Sequence, residues 1–390
     1  ASSGAAERPP RVPEAALLAD ALGREGRLIS REAAGVGAIA GFAVDDDGAP
    51  LTVYVDTSRQ PVDEETGMVL PAEPGDEGRG PAARIWVHPA DPYLPALGPA
   101  AFSDATAALL SRLGIDAPHD SRMLAYRAGK RAVIRLAPVD GGEARYLKVV
   151  RPERAERIWS VHRRLGAAGL PVPAVGGWSP AGLLVIDEAR GEAGIERAAR
   201  LGDAAEARAL VAAIDGLRRA LAASGLAGDA RPSLALRADW YFERLAGRGL
   251  DAPLARLRAV ADGRPREAAA PVPMHGDLHL GQLFFEGGAA APRVSGLIDV
   301  DTAGLGDPAD DAGAFAAHAL VAADRNAARG NAPAAAGLER LVDAAAEAWL
   351  DEAAARAVFA VHAVAHAGGA AELGGAEPAA RILDRALAAL

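Results

Sequence analysis

The 390-residue chain contains no cysteine, which excludes disulfides, thiolate metal sites, iron–sulfur clusters and cysteine nucleophiles together. Aromatic residues are also scarce, at 4%, although half of all residues are hydrophobic. A core of that size must therefore be built from Ala, Leu and Val, a palette that favours helix over an all-β fold. No apolar run approaches the roughly 18 residues that would mark a bilayer-spanning helix. The stretch from Ala312 to Ala323 is short and carries His318. The opening lacks the charged and apolar regions of a secretory leader, so a cytoplasmic protein is expected. Basic charge is in deficit, with a net charge of −10, and a broad nucleic-acid-binding face is not expected. Among the basic residues only Lys130 and Lys148 are lysine, which makes each a candidate for a task that needs a compact ammonium.

The length allows two or three domains. A short helix is expected from Glu14 to Leu22. Strands at Gly41–Val44 and Leu51–Thr57 flank Asp45-Asp46-Asp47-Gly48, a hairpin signal. Residues 58–82 read as a Pro-, Gly- and acid-rich loop, followed by a strand at Arg84–His88. Gly35-Val36-Gly37 is a weak dinucleotide-like match that leads into a strand, and so reads as a turn. Three strands follow at Arg122–Tyr126, Ala132–Leu136 and Ala144–Val150, then a helix from Pro152 to Ala168 and a strand pair ending at Leu183–Ile186. From about Glu192 the period is helical, interrupted mainly by Val272–Val300.

The chemistry concentrates in Met274-His275-Gly276-Asp277-Leu278-His279-Leu280-Gly281-Gln282, followed by two short strands that run into Asp299. An acid, an amide and a second acid thus surround one hairpin. Phosphoryl transfer needs such a set: one carboxylate orients the attacking hydroxyl, while an amide oxygen and another carboxylate hold Mg²⁺ against the phosphates. Asp277 to Gln282 is a spacing of five, as in the catalytic loop of protein kinases. A metallohydrolase is the rival reading, with His275, Asp277 and His279 joined by His362 and His366 at helical i, i+4 spacing. The second pair lacks the Glu of His-Glu-x-x-His.

This segment resembles the aminoglycoside phosphotransferase superfamily, whose loop reads His-Gly-Asp-x-x-x-x-Asn. It is most similar to the maltokinases and maltokinase-like glucosamine kinases, in which His-Gly-Asp-x-His-Leu-Gly-Gln occurs. The resemblance runs from about Arg122 to the end of the chain. It implies an α+β, protein-kinase-like two-lobed fold: an N-terminal cap over residues 1–110, a small β-rich lobe over 111–190 and a helical lobe over 191–390. It also implies ATP and Mg²⁺ as cofactors and a sugar or amino-sugar acceptor, with an amino sugar such as glucosamine expected. Carried onto these positions, Asp277 is the catalytic acid/base, Gln282 and Asp299 are the metal ligands, and Lys148 holds the nucleotide phosphates. Glu188 and Arg190, after the strand ending at Ile186, offer backbone to the adenine. Either Glu153 or Glu156 could partner Lys148. Gly306-Asp307-Pro308 and Asp311 resemble the family's Gly-Asp-Pro-x-x-Asp; Asp307 is expected to cap a helix and Asp311 to brace the catalytic loop. If the strand before Asp299 continues, Asp301 shares its face. His318, Trp349, Glu352, His362, His366 and Glu372 are candidates for facing the acceptor. Gln282 departs from the usual Asn, which leaves a catalytically dead nucleotide-binding module as the alternative of another class, and maltose or an aminoglycoside as alternative acceptors.

Overall fold

The computed structural model describes residues 12–72, 74–75, 80–112, 119–265 and 269–390. It is an α+β chain that divides into two compact units, residues 1–159 with 175–188, and residues 160–174 with 189–390.

The first unit opens with helix α1 (Pro13–Leu22) and a sheet of β1 (Gly26–Ala34), β2 (Gly37–Asp46), β3 (Ala49–Asp56), β4 (Met68–Leu70) and β5 (Ala83–Val87), in the order β1-β2-β3-β5-β4. The β2–β3 turn forms where the sequence places it. Asp47 and Gly48 both take positive φ, the conformation a two-residue hairpin loop requires. Gly35, also at positive φ, turns β1 into β2, so the dinucleotide-like match is a hairpin turn. Two strands of this unit escape the sequence reading: β1, and β4 within the stretch expected to be loop. Short helices α2 (Leu97–Ala101) and α3 (Ser103–Arg112) lead to a second antiparallel sheet. Its strands are β6 (His119–Arg127), β7 (Arg131–Pro138), β8 (Arg145–Val150), β9 (Val175–Ser179) and β10 (Leu183–Asp187), in the order β6-β7-β8-β10-β9, with helix α4 (Pro152–Ala167) between β8 and β9.

Strand alternation sorts β8 and β10 into two faces. Leu147, Val149, Leu183 and Val185 join Ile39, Tyr54, Trp86, Tyr93 and Leu97 in one core, so the two sheets bury a common apolar layer. Val150 and Leu184 point the other way, onto Ala155 and Ile158 of α4. Lys148 lies on this second face, opposite Val133 and Leu184 in register, and is 4% exposed.

The second unit is largely helical: α5 (Gly194–Ala199) after the short strand β11 (Glu192–Ala193), α6 (Ala204–Ala222), α7 (Ala238–Glu243) and α8 (Asp251–Asp262). Strands β12 (Val272–Met274), β13 (Leu283–Glu286), β14 (Arg293–Leu297) and β15 (Gly304–Gly306) then make two small antiparallel sheets, β11-β13-β14 and β12-β15. Helices α9 (Pro308–Ala328), α10 (Ala332–Trp349), α11 (Ala353–Gly374) and α12 (Ala376–Ala388) complete it. Its core is the expected one of Ala, Leu and Val, with Phe315 and Phe359 among the few large rings. Small side chains let the helices approach closely. A Cβ on Gly313 of α9 would lie 2.6 Å from the Ala355 carbonyl oxygen of α11. Among the described residues no helix is long and apolar enough to cross a membrane.

Candidate active site

The segment from Met274 to Asp299 wraps the β13–β14 hairpin. Asp277 follows the end of β12, and a turn of 3₁₀ helix (Leu280–Gln282) delivers the chain into β13. The loop before Asp277 is held by Asp311 in the first turn of α9. This carboxylate is 2% exposed and accepts from the backbone N–H of His275 at 2.8 Å and of Gly276 at 2.9 Å. From the other side, the Thr302 hydroxyl donates to the His275 carbonyl at 2.9 Å. Gly276 has φ +80°, and a Cβ there would lie 2.5 Å from the Thr302 carbonyl oxygen, so only glycine fits the corner. His275 itself is fully buried, with Nε2 at 3.0 Å from the Ile298 carbonyl, for which it is the donor. Asp307 caps α9 by accepting from the Ala309 N–H at 3.0 Å, and pairs with Arg264 at 2.9 Å.

The hairpin brings the second acid to the amide. Ile298 N–H donates to the Gln282 carbonyl at 2.9 Å, which places Asp299 one residue away. Asp299 takes a left-handed conformation, φ 57° and ψ 37°, unusual for a non-glycine residue and worth noting at a candidate site. The strand therefore ends at Leu297 and does not continue past Asp299. Residues 300–302 form a 3₁₀ turn, and Asp301 is buried at 7%. The condition for Asp299 and Asp301 to share a strand face, that the strand continue past Asp299, is therefore not met.

Gln282 is 4% exposed, and its side-chain oxygen Oε1 finds no hydrogen-bond donor. A buried carbonyl oxygen without a partner costs on the order of 1–3 kcal/mol. With the Asp299 carboxylate one residue from its backbone partner, this hard oxygen donor fits a Mg²⁺ ion, which takes oxygen ligands.

Asp277 meets a residue that the sequence reading missed. Arg231 Nη1 lies 3.2 Å from Asp277 Oδ2. Arg231 reaches it because its own N–H donates to the Thr302 carbonyl at 2.9 Å, fixing the segment 228–231 along β15. Nothing in the local pattern Asp229-Ala230-Arg231-Pro232 marks this role. Beside Asp277 the helices contribute imidazoles: the His279 ring stacks on His318 at 4.7 Å between centroids, and His318 meets His366 at 4.5 Å and His362 at 6.1 Å. Burial holds all four below the usual imidazole range, with His318 at about 2, His362 at about 3 and His366 at about 4. Neighbouring imidazoles and the charges of Arg325 and Arg231 push in the same direction, whereas Asp277 pulls His279 and His366 back up. Of the acceptor candidates, His318, His362 and His366 therefore gather on this side. Trp349 instead packs edge-on against Phe315 under the Arg218 guanidinium, Glu352 precedes α11, and Glu372 pairs with Arg244. Among the described residues the imidazoles that converge closely enough to share a metal ion are His318, His362 and His366, so the rival metallohydrolase set of His275, Asp277 and His279 with the α11 histidines is not the one assembled.

Of the other residues singled out in the sequence, Arg190 belongs to the second unit, is exposed, and its carbonyl accepts from Ser295 Oγ at 2.8 Å. Lys148 and Glu188 belong to the first. The Glu188 carboxylate accepts from Ala144 N–H at 3.2 Å and from the Tyr146 hydroxyl at 3.1 Å, so it ties β8 to the end of β10. Glu153 and Glu156 on α4 are both exposed and line a cavity of about 860 Å³ with Arg151, Tyr93 and Trp178. The turn between β6 and β7 is held by the first sheet's domain. Glu32 binds Arg127 at 2.8 and 2.9 Å and Lys130 at 2.5 Å, and Asp91 accepts from Gly129 N–H at 2.7 Å.

Residues 101–359, about two thirds of the chain, match the phosphotransferase enzyme family, and the chain belongs to that family. The antiparallel sheets of the first unit and the helices of the second make the chain α+β. Similar solved structures include a thermostable mutant of aminoglycoside phosphotransferase APH(4)-Ia, 16% identical over 72% of this chain and 96% of that one, with a TM-score of 0.48. A macrolide 2′-phosphotransferase from Brachybacterium faecium is 22% identical over 73% of this chain and 98% of its own, with a TM-score of 0.40. The aminoglycoside phosphotransferase APH(3″)-Id from Streptomyces rimosus is 22% identical over 68% and 99%, with a TM-score of 0.41. No curated protein matches the chain by sequence.

Proposed function

We propose that this phosphotransferase is a Mg·ATP-dependent kinase that phosphorylates a hydroxyl of a sugar or amino sugar, with glucosamine as the acceptor. The observation that carries the reading is the Asp277, Gln282 and Asp299 constellation, with its buried, undonated Gln282 Oε1 and the loop braced by Asp311. Asp277 orients the acceptor hydroxyl and receives its proton as the oxygen forms its bond to the γ-phosphorus; the bond from that phosphorus to the bridging oxygen breaks and ADP leaves. Gln282 and Asp299 hold Mg²⁺, which when bound neutralises charge developing on the phosphate oxygens. Lys148 is assigned to the nucleotide phosphates, and the backbone of Glu188 and Arg190 to the adenine edge. Cocrystals of similar phosphotransferases contain ADP or AMP-PNP, which supports ATP as donor here.

The amino-sugar acceptor is supported by the wording of the loop and by the local charge. The acids clustered near the loop, Asp277, Asp299 and Asp301, suit a cationic acceptor. The test is Mg·ATP-dependent ADP release with glucosamine, glucose, N-acetylglucosamine, maltose and kanamycin. Turnover with glucosamine and none with N-acetylglucosamine is expected, because acetylation removes the charge while keeping the ring. Preference for maltose or kanamycin moves the acceptor, and silence across the panel overturns the sugar reading.

A further inference from the structure

We propose that His318, His362 and His366 form a binding site for one transition-metal ion of the Zn²⁺ class, separate from the Mg²⁺ position at Gln282 and Asp299. One potential ligand nitrogen from each of the three imidazoles lies within 4.8 Å of the others. Tetrahedral zinc with bonds of about 2.0–2.1 Å needs nitrogens about 3.3 Å apart, so the most widely separated pair has to close by up to about 1.5 Å. The scaffold is rigid where this matters. His362 and His366 are four residues apart on one face of α11, and His318 comes from α9. These two helices are pressed together five residues earlier, at Gly313, where a Cβ would lie 2.7 Å from the Phe359 backbone nitrogen.

The chemistry selects the ion. Each imidazole in its neutral form presents one ring-nitrogen lone pair, and three such nitrogens converge here. An all-imidazole set suits Zn²⁺, Cu²⁺, Ni²⁺ or Fe²⁺ and is unsuited to Mg²⁺, which demands oxygen. His279, the fourth ring, is excluded as a ligand. Its Nδ1 accepts the Gly281 N–H at 3.1 Å, so in the neutral ring Nε2 carries the hydrogen, and it serves instead as a stacking wall for His318. Three protein ligands leave one tetrahedral position for water or an anion. A dication here also adds positive charge on the His366 side of Asp277. Zn²⁺ is therefore expected to depress phosphoryl transfer, a consequence that rests on the kinase reading, whereas binding itself is read without turnover.

The experiment uses full-length protein stripped with a chelator and dialysed into Mg²⁺ buffer. Titration with Co²⁺ should give the visible d–d bands of a tetrahedral complex, and equilibrium dialysis should give one Zn²⁺ per chain. His318→Ala and His362→Ala should each weaken binding by at least 100-fold, on the order found for losing a metal ligand or its support. His366→Cys keeps ligation and should add sulfur-to-cobalt charge-transfer absorption, so the assignment stays testable if an alanine variant fails to fold. No saturable binding in the wild-type protein, or binding undiminished in all the folded variants, overturns the proposal.

Discussion

Removing the brace beneath the catalytic loop gives the sharpest test of how this site is built. Asp311 offers one oxygen to each of two consecutive backbone N–H groups, at 2.8 and 2.9 Å, from a position that is 2% exposed. Asp311→Asn is nearly isosteric but keeps only one acceptor oxygen and turns an NH₂ group toward one of the two donors. A buried hydrogen bond to a charged group contributes about 1.5–3 kcal/mol, and the stranded donor costs about as much as it loses. A local destabilisation of about 2–3 kcal/mol follows, which at 1.4 kcal/mol per decade is a fall of about 30- to 150-fold in hydrogen-exchange protection for the His275 and Gly276 amides. Asp277 is the next residue, and a displacement of the order of 1 Å at a reacting group can cost about 100-fold in turnover. Exchange is read by mass spectrometry on peptides covering 274–278, with peptides of β2 and β3 as internal controls, and kcat by ADP release. A variant with wild-type protection and wild-type kcat would refute the claim that Asp311 positions the loop.

Three further outcomes follow from the geometry. Gly276→Ala combines a +80° φ with a Cβ 2.5 Å from a carbonyl oxygen, so it should cost at least about 1–3 kcal/mol in denaturant midpoint; a neutral change would contradict the described corner. Gln282→Leu removes a buried oxygen that has no protein partner, so stability should hold or rise while the Mg²⁺ concentration for half-maximal activity rises at least tenfold; lost stability with an unchanged Mg²⁺ requirement would place the oxygen elsewhere. At Glu32, burial raises the carboxyl pKa, but hydrogen bonds and charge from Arg127 and Lys130 outweigh it and hold the group at about 2, below its ordinary 4.5. Its contribution is therefore present above the unfolded value and lost as pH falls from about 4.5 toward 2. The stability gap between wild type and Glu32→Gln should narrow over that window, and a gap that is flat there would contradict the pairing.

The candidate segment stood out in the sequence because its information is local. Asp277, Gln282 and Asp299 stand at fixed spacings around one hairpin, and the positions of Asp307 and Asp311 follow from ordinary helix-start chemistry. Lys148 could be placed on a strand from its β-branched and apolar neighbours. What escaped was set by tertiary contact. β1 has exposed residues on both faces over most of its length and so shows no alternation, and β4 is only three residues long. Arg231 finds Asp277 through a backbone bond to Thr302, 71 positions away, that no local pattern encodes. The face shared by Asp299 and Asp301 depended on the strand continuing, and it stops at Leu297, two residues before Asp299. The histidines were visible one at a time, but their convergence depends on how α9 and α11 cross at Gly313.

The central claim is tested most directly by Asp277→Asn, measured for Mg·ATP-dependent phosphorylation of the acceptor and for nucleotide binding in the same preparation. The substitution keeps the shape and removes the proton acceptor. The account predicts a fall in kcat on the order of 10²-fold or more with nucleotide affinity retained. Turnover within a few-fold of wild type would contradict it and remove Asp277 from the chemistry.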